Sequence, residues 1–112
     1  FWYEGGGAAA LGGIQPQTLP FAADGSLDLA TVATLIKPDD PHFARTRLVC
    51  LENTQAGKAI GPAYFAAARA FCDSHALALH LDGARVFNAA VALDCPVTAI
   101  AAPCDTVSVC LS

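Results

Sequence analysis

Three short apolar runs set the strongest limit on how this 112-residue chain can fold. They lie in the segments TRLVCLEN, LALHLD and DTVSVCLS, each flanked by turn residues. Successive runs start about 30 residues apart, the span of one parallel strand and its returning helix. The spacing predicts a three-layer α/β/α fold with a mostly parallel sheet in βαβαβ order. The first run, continuous from Leu48 to Leu51, predicts a strand buried on both faces.

Helical patterns lie before and between these runs. The segment ADGSLDLATVATLIK has apolar residues at helical spacing and ends before Pro38. A second helix begins at Pro62 and a third is predicted in ARVFNAAVAL, while CPVTAIAAPC is a connection. We expect the second helix to bury one side, formed by Tyr64, Ala67, Ala68, Phe71 and Cys72. For EGGGAAALGG, a linker is favoured over a turn that leads into a short helix.

Charge and cysteine content exclude several classes of function. The net charge is -4 without a Lys/Arg cluster, so a nucleic acid or an anionic membrane surface is not an expected partner. No apolar run reaches the roughly 18 residues of a membrane helix. The five cysteines show no CxxC spacing, which favours a soluble protein in a reducing cytoplasm. Three scattered histidines predict no metal site.

The end of the second apolar run carries the first candidate site. In parallel sheets ligands bind beyond the carboxyl ends of the strands, and Asp82 stands at such an end with Arg85 just after it. Asp82 could instead cap the following helix, or pair with Arg85 as a purely structural ion pair. Arg85, one turn into a helix where the dipole disfavours a cation, makes a nearby anion plausible. These alternatives stay open from the residues alone.

The histidines have ordinary explanations as well. His42, between two proline-bounded turns, fits a surface loop better than a catalytic site on position alone. His80 alternates with leucines and shares a face with Asp82, which predicts a hydrogen-bonded interior side chain. His75 ends a helix and is expected to cap its carbonyl groups.

Four motifs together resemble the central part of bacterial low-specificity L-threonine aldolases, which are pyridoxal-phosphate lyases of the aspartate-aminotransferase fold type. The motifs are YEGGGAAALGG, DDPHFARTRLVCLENT, LHLDGARVFNAAVA and SVCLS. The resemblance runs the whole length and implies that residues 1–112 are part of a large cofactor-binding domain. It implies retro-aldol cleavage of L-threonine or L-allo-threonine to glycine and acetaldehyde, in a tetramer with active sites at subunit boundaries.

The resemblance also assigns roles to residues. Asp82 matches the aspartate that bonds the pyridinium nitrogen of pyridoxal 5'-phosphate, which lets the ring accept electrons. Arg85 matches the arginine that grips the substrate carboxylate. His42 matches a histidine near the β-hydroxyl that helps in its deprotonation, and Tyr3 and Glu4 match a pair at the rim of the site.

Some features depart from the family pattern. Its cofactor-bearing lysine directly follows SVCLS, and its ring-stacking histidine precedes the residue matched by Phe1. With no methionine in the chain, we expect a piece of a longer protein, inactive by itself and truncated at both ends. Gln55 and the AIGP segment also differ from the usual loop. The alternatives are an aminotransferase or cysteine-desulfurase relative, or an inactive truncated product.

Overall fold

The computed structural model describes residues 3–111. A 3₁₀ turn at Glu4–Gly6 opens this part of the chain. The regular elements that follow are α1 (Gly7–Ala10), α2 (Leu29–Thr34), β1 (Leu48–Glu52), α3 (Pro62–Ser74), β2 (Ala78–Asp82), α4 (Val86–Ala92), α5 (Val97–Ala101) and β3 (Thr106–Ser108).

The three strands form one parallel sheet in the order β1-β2-β3. Strand β2 lies in the middle, with Leu48 opposite Ala78 at one end of its pairing with β1. On its other side, β2 pairs with β3 from His80 to Asp82. The α/β class, the parallel sheet and the βαβαβ order are therefore confirmed. Strand β3 is shorter than the predicted DTVSVCLS segment, since it ends at Ser108.

The helices of the sheet have clear local causes. Helix α3 begins with Pro62, whose missing N–H is no loss at that position. Its fully buried side chains are Phe65, Ala68 and Cys72, at helical spacing. The buried face of α3 is slightly rotated from the predicted one: Ala67 is exposed, and Phe65 is buried in its place. His75 follows the last turn, and its Nδ1 lies 2.8 Å from the Phe71 carbonyl oxygen, as the capping prediction requires.

Three short helices differ from the sequence predictions. Helix α5 lies in CPVTAIAAPC, for which the sequence predicts a connection, and its Ile100 side chain is fully buried. Helix α1 replaces the linker favoured for EGGGAAALGG, although none of its residues is buried. Helix α2 is shorter than predicted, with its N-terminus capped by Asp28, which accepts hydrogen bonds from the N–H groups of Ala30 and Thr31.

The core lies on one side of the sheet. Val49, Leu51, Leu79 and Leu81 point into it, and the last two are fully buried together with Phe65 of α3. Burying a side chain of this size stabilises a fold by about 1.5–3 kcal/mol. The alternate residues of β1 are exposed or half-buried, so the prediction that this strand is buried on both faces is wrong for the described residues. That second face carries the polar residues of the sheet.

A group of charges fastens the end at which β2 and β3 begin. Arg69 Nη1 donates to Asp105 Oδ2 over 2.7 Å, and the same oxygen accepts the Leu79 N–H over 2.7 Å. Arg69 Nη2 lies 2.6 Å from Asp73 Oδ1 and donates to the Leu77 carbonyl over 3.2 Å. These contacts tie α3 to both strands.

Candidate functional site

Asp82 ends the middle strand at the carboxyl edge of the sheet. Parallel strands bring their last residues to one edge, so Asp82 lies opposite Glu52 on β1 and Ser108 on β3. All three side chains are on the face opposite the core, and Asp82 is exposed. The structure thus places Asp82 where ligands bind in parallel sheets, as the sequence predicted.

The turn after Asp82 fixes its carboxylate. Oδ1 of Asp82 accepts the Ala84 N–H over 3.1 Å, an interaction within the turn. Helix α4 starts at Val86, and Arg85 occupies its N-cap position without a capping side chain. The alternative in which Asp82 caps this helix is therefore wrong. Its second oxygen, Oδ2, has no hydrogen-bond partner among residues 3–111 and is free to accept one.

Gly83 brings this turn close to β3. Its N–H donates to the Ser108 carbonyl oxygen over 2.9 Å. A Cβ atom at position 83 would come within 2.7 Å of that oxygen. Only a residue without a side chain fits between the two strand ends, and this contact keeps Asp82 level with the end of β3.

Arg85 pairs with a different acid from the one considered in the sequence. Its Nη1 lies 3.8 Å from Glu52 Oε1, and its side chain is 64% exposed. Within the described part of the chain Arg85 forms no ion pair with Asp82, so the alternative of a structural Asp82–Arg85 pair is wrong. The sequence analysis gave no role to Glu52, which ends the first apolar run, and the register of β1 against β2 brings it to this edge.

Asn53 is a second residue at this edge to which the sequence analysis gave no role. It is fully buried, and its side chain binds both the N–H and the carbonyl of Ile60, over 3.1 and 3.0 Å. Its own N–H donates to the Asp82 carbonyl over 3.1 Å. Asn53 thereby closes the loop after β1 and fastens that loop to β2. An asparagine directly after an apolar run was the available signal.

A second row of side chains crosses the same face one step behind Asp82. Cys50, His80 and Thr106 face one another in the registers of the three strands. His80 Nδ1 lies 2.8 Å from Thr106 Oγ1. The ring is hydrogen-bonded, as predicted, but half-buried rather than interior. Burial, and then the charge of Asp82, raise the pKa of the Cys50 thiol, so this cysteine is a poor thiolate.

His42 lies in the loop that precedes β1. Its side chain is 87% exposed, and its Nδ1 lies 2.8 Å from Asp40 Oδ1. The same oxygen accepts the His42 backbone N–H over 2.8 Å. The hydrogen bonds from the backbone and then the ring of His42 lower the pKa of Asp40. The exposed position of His42 agrees with the surface-loop interpretation, and no hydrogen bond or ion pair among residues 3–111 joins His42 to Asp82.

Tyr3 and Glu4 lie at the start of the described chain. Tyr3 is 84% exposed and precedes the 3₁₀ turn in which Glu4 stands, also exposed. Neither side chain forms a hydrogen bond or ion pair within the described residues. The structure therefore joins Asp82 and Arg85 at one edge, but does not connect His42, Tyr3 or Glu4 to it. Ser112, at the end of the last predicted strand, lies outside the described residues.

Asp82 and Arg85 are both exposed to solvent at this edge. The concavities described on the surface lie elsewhere, one beside Phe21 and Thr31 and another beside Phe87 and Val91. Among residues 3–111, no group of three or more His, Cys, Asp or Glu side chains is arranged to hold a metal ion. None of the helices described is long and apolar enough to span a bilayer. What this edge offers is a free carboxylate oxygen beside an exposed guanidinium.

Comparison of the sequence with known proteins places the chain in a family. A family model described as "Beta-eliminating lyase" matches residues 1–112. The low specificity L-threonine aldolase of Escherichia coli K12 is 53% identical over 112 residues, covering all of this chain and 34% of that protein. A probable low-specificity L-threonine aldolase 2 of Arabidopsis thaliana is 41% identical, with 98% of this chain and 32% of that protein covered. The Saccharomyces cerevisiae low specificity L-threonine aldolase is 34% identical, covering all of this chain and 30% of that protein. The chain spans about a third of the length of these curated relatives.

Proposed function

The chain belongs to the β-eliminating lyase family, and from this premise we propose that the protein containing it is a low-specificity L-threonine aldolase. In this proposal it cleaves L-threonine and L-allo-threonine to glycine and acetaldehyde with pyridoxal 5'-phosphate as cofactor. Residues 1–112 form part of the large domain that binds the cofactor. The relatives named above support the proposal, since each carries that activity in its name.

The observation that carries the proposal is the half-used carboxylate of Asp82. One oxygen is held by the Ala84 N–H, so the group is fixed, and the other accepts no hydrogen bond from residues 3–111. A protonated ring nitrogen is a charge-assisted donor that suits such an oxygen. The chemistry of this residue therefore fits the cofactor. When bound, pyridoxal phosphate supplies an electron sink for the bond that breaks.

Arg85 binds the carboxylate of the amino acid in this proposal. A guanidinium carries five N–H donors in a planar fork that matches a carboxylate. The Arg85 side chain is mostly exposed, and its one ion pair in the described chain, to Glu52, is 3.8 Å long. At that distance its donors remain free for a ligand. Asp82 and Arg85 would hold the cofactor and the substrate, respectively, on one edge of the sheet.

His42 handles the proton of the substrate hydroxyl in this proposal. Its Nδ1 is directed to Asp40, and with the proton on that nitrogen, Nε2 is the atom that accepts a proton. Tyr3 and Glu4 line the rim of the substrate site. These three assignments follow from the family resemblance.

The proposal extends to the assembly and location of the whole protein. We propose a homotetramer in the cytoplasm, with an amino acid as the small-molecule partner. The five cysteines support a reducing compartment, because none of them is paired in the structure. The tetramer follows from the family resemblance alone.

A segment exchange tests the function directly. This chain would replace the matched third of the Escherichia coli relative, and the chimera would be supplied with pyridoxal phosphate and L-threonine or L-allo-threonine. We expect glycine and acetaldehyde in equal amounts. The unaltered relative and a circular dichroism spectrum control for assay and folding.

Two outcomes would contradict the proposal. A folded chimera that binds the cofactor but forms no glycine would show that this segment cannot support the reaction. Transfer of the amino group to a keto acid, without carbon–carbon cleavage, would instead favour an aminotransferase. The protein that naturally carries this chain serves as a second arm, should the chimera fail to fold.

A further inference from the structure

Glu52 is the acidic neighbour of the proposed substrate-binding arginine. It is the last residue of β1 and stands opposite Asp82 in the register of the sheet. Its Oε1 lies 3.8 Å from Arg85 Nη1, and its side chain is 38% exposed against 64% for Arg85. Within the described residues this is the one ion pair that Arg85 forms. Glu52 thus belongs to a strand, whereas Arg85 lies in the turn before the short helix α4.

The length of this contact matters for what Arg85 can do. Hydrogen bonds between nitrogen and oxygen measure about 2.7–3.2 Å, so a separation of 3.8 Å attracts the guanidinium without using its N–H donors. Arg69 shows the opposite arrangement, in which both terminal nitrogens are bonded to carboxylates or a carbonyl. Glu52 restrains Arg85 and leaves its donors open.

We infer that Glu52 is a positioning residue that holds Arg85 at the carboxyl edge of the sheet before the substrate arrives. This inference rests on the proposed function, because it names the support for the carboxylate-binding group of that site. An arginine side chain is long and flexible, and ordering it at the moment of binding weakens affinity. A carboxylate fixed at the end of β1 removes part of that cost. Glu52 acts through Arg85 and does not touch the substrate.

The position of Glu52 in the sheet supports this role. Asn53, the next residue, is fully buried and is tied both to Ile60 and to the Asp82 carbonyl. The backbone that carries Glu52 is therefore held from both sides, by β2 and by the closed loop. A rigid support of this kind is what a positioning residue needs.

The test uses Glu52→Gln and Glu52→Asp in the holoenzyme that contains this chain. For Glu52→Gln we expect the KM for L-threonine to rise about two- to five-fold, the range of an exposed ion pair, with a smaller change in kcat. The dissociation constant of glycine, measured by calorimetry, should rise by the same factor, while that of pyridoxal phosphate should not change. Glu52→Asp keeps the charge and should restore part of the affinity.

Two controls separate positioning from a structural role. Asp73→Asn removes a carboxylate from the other arginine, Arg69, and should leave the KM unchanged. In an Arg85→Ala background, Glu52→Gln should add no further loss of glycine affinity, because its effect passes through Arg85.

Several results would overturn the inference. They are an unchanged KM and glycine affinity in Glu52→Gln, a tighter glycine complex, or an equal weakening of pyridoxal phosphate binding. A tighter complex would mean that Glu52 competes with the substrate for Arg85. A wild-type enzyme that binds glycine but does not cleave threonine would refute the proposed function alone, since calorimetry still reports on Glu52. If Glu52→Gln does not fold, weaker glycine binding in Glu52→Asp decides the question.

Discussion

Two arginines at opposite ends of the sheet show how differently one residue type can be used. Arg69 is 23% exposed and reaches Asp73 and Asp105 at 2.6 and 2.7 Å. Arg85 is 64% exposed and has one carboxylate partner among residues 3–111, Glu52 at 3.8 Å. At one end both terminal nitrogens of the guanidinium are used in joining α3 to the strands. At the other end they are still available.

The carboxylates at the two ends differ in how many donors they accept. Asp105 Oδ2 accepts both the Leu79 N–H and Arg69 Nη1. These hydrogen bonds, in that order, lower the pKa of Asp105. Asp82 uses only Oδ1, for the Ala84 N–H. Charged groups with several short contacts stabilise a fold, whereas charged groups that are held in place by few contacts are suited to a ligand.

The largest expected effect comes from removing the charge of Asp82. In Asp82→Asn the side-chain oxygen can still accept the Ala84 N–H, so the turn is kept while the negative charge is lost. We expect kcat for threonine cleavage to fall at least about 100-fold, because the negative charge would stabilise the protonated ring nitrogen of the cofactor. Glycine formation by the holoenzyme measures this, with Asp73→Asn as a control of equal charge change. Full activity in Asp82→Asn would show that the partly bonded carboxylate at this end of the sheet has no role in the reaction.

The next effect separates the two arginines. Arg85→Ala should raise the KM for L-threonine about 10- to 100-fold, because charge-assisted hydrogen bonds to the substrate carboxylate are lost. Its melting temperature should stay close to that of the wild type. Arg69→Ala should do the reverse, with a lower melting temperature and an unchanged KM. Equal KM values for the two variants would show that the exposure of Arg85 has no functional meaning.

The smallest effect concerns the pH dependence of stability. The pKa of Asp105 is lower in the folded state than in the unfolded chain, so Asp105 stabilises the fold above its unfolded pKa of about 3.9. That contribution disappears as the pH falls through the folded pKa. Asp105→Asn should therefore melt a few degrees below the wild type near neutral pH, and the gap should begin to narrow below about pH 4. Melting curves of both proteins from pH 7 to 3 test this, and a constant gap would contradict the assignment.

The parts of the structure that sequence predicted are those governed by local rules. Apolar runs at a regular spacing defined the three strands, and Asp82 followed from its place after one of them. Helix α3 was predictable from Pro62 and its apolar spacing. Helix α5 was not, because a five-residue helix after Pro96 is set by the packing of Ile100 and has little periodicity of its own.

The contacts of the site depend on the register between strands, which a single sequence does not fix. Glu52 lies near Arg85 only because β1 and β2 pair as they do. The burial of Asn53 likewise depends on a loop that returns to Ile60. For His42 the loop position was predictable, but no hydrogen bond or ion pair within the described residues relates it to Asp82.

Gly83 has a consequence for anyone who alters this edge to change the substrate. Its N–H and its missing side chain let the backbone of β2 lie against the Ser108 carbonyl, with no room for a methyl group. A library that varies the residues on either side can succeed, but one that varies position 83 will move the two strand ends apart and misplace the acid before it. That glycine is best left out of any randomisation.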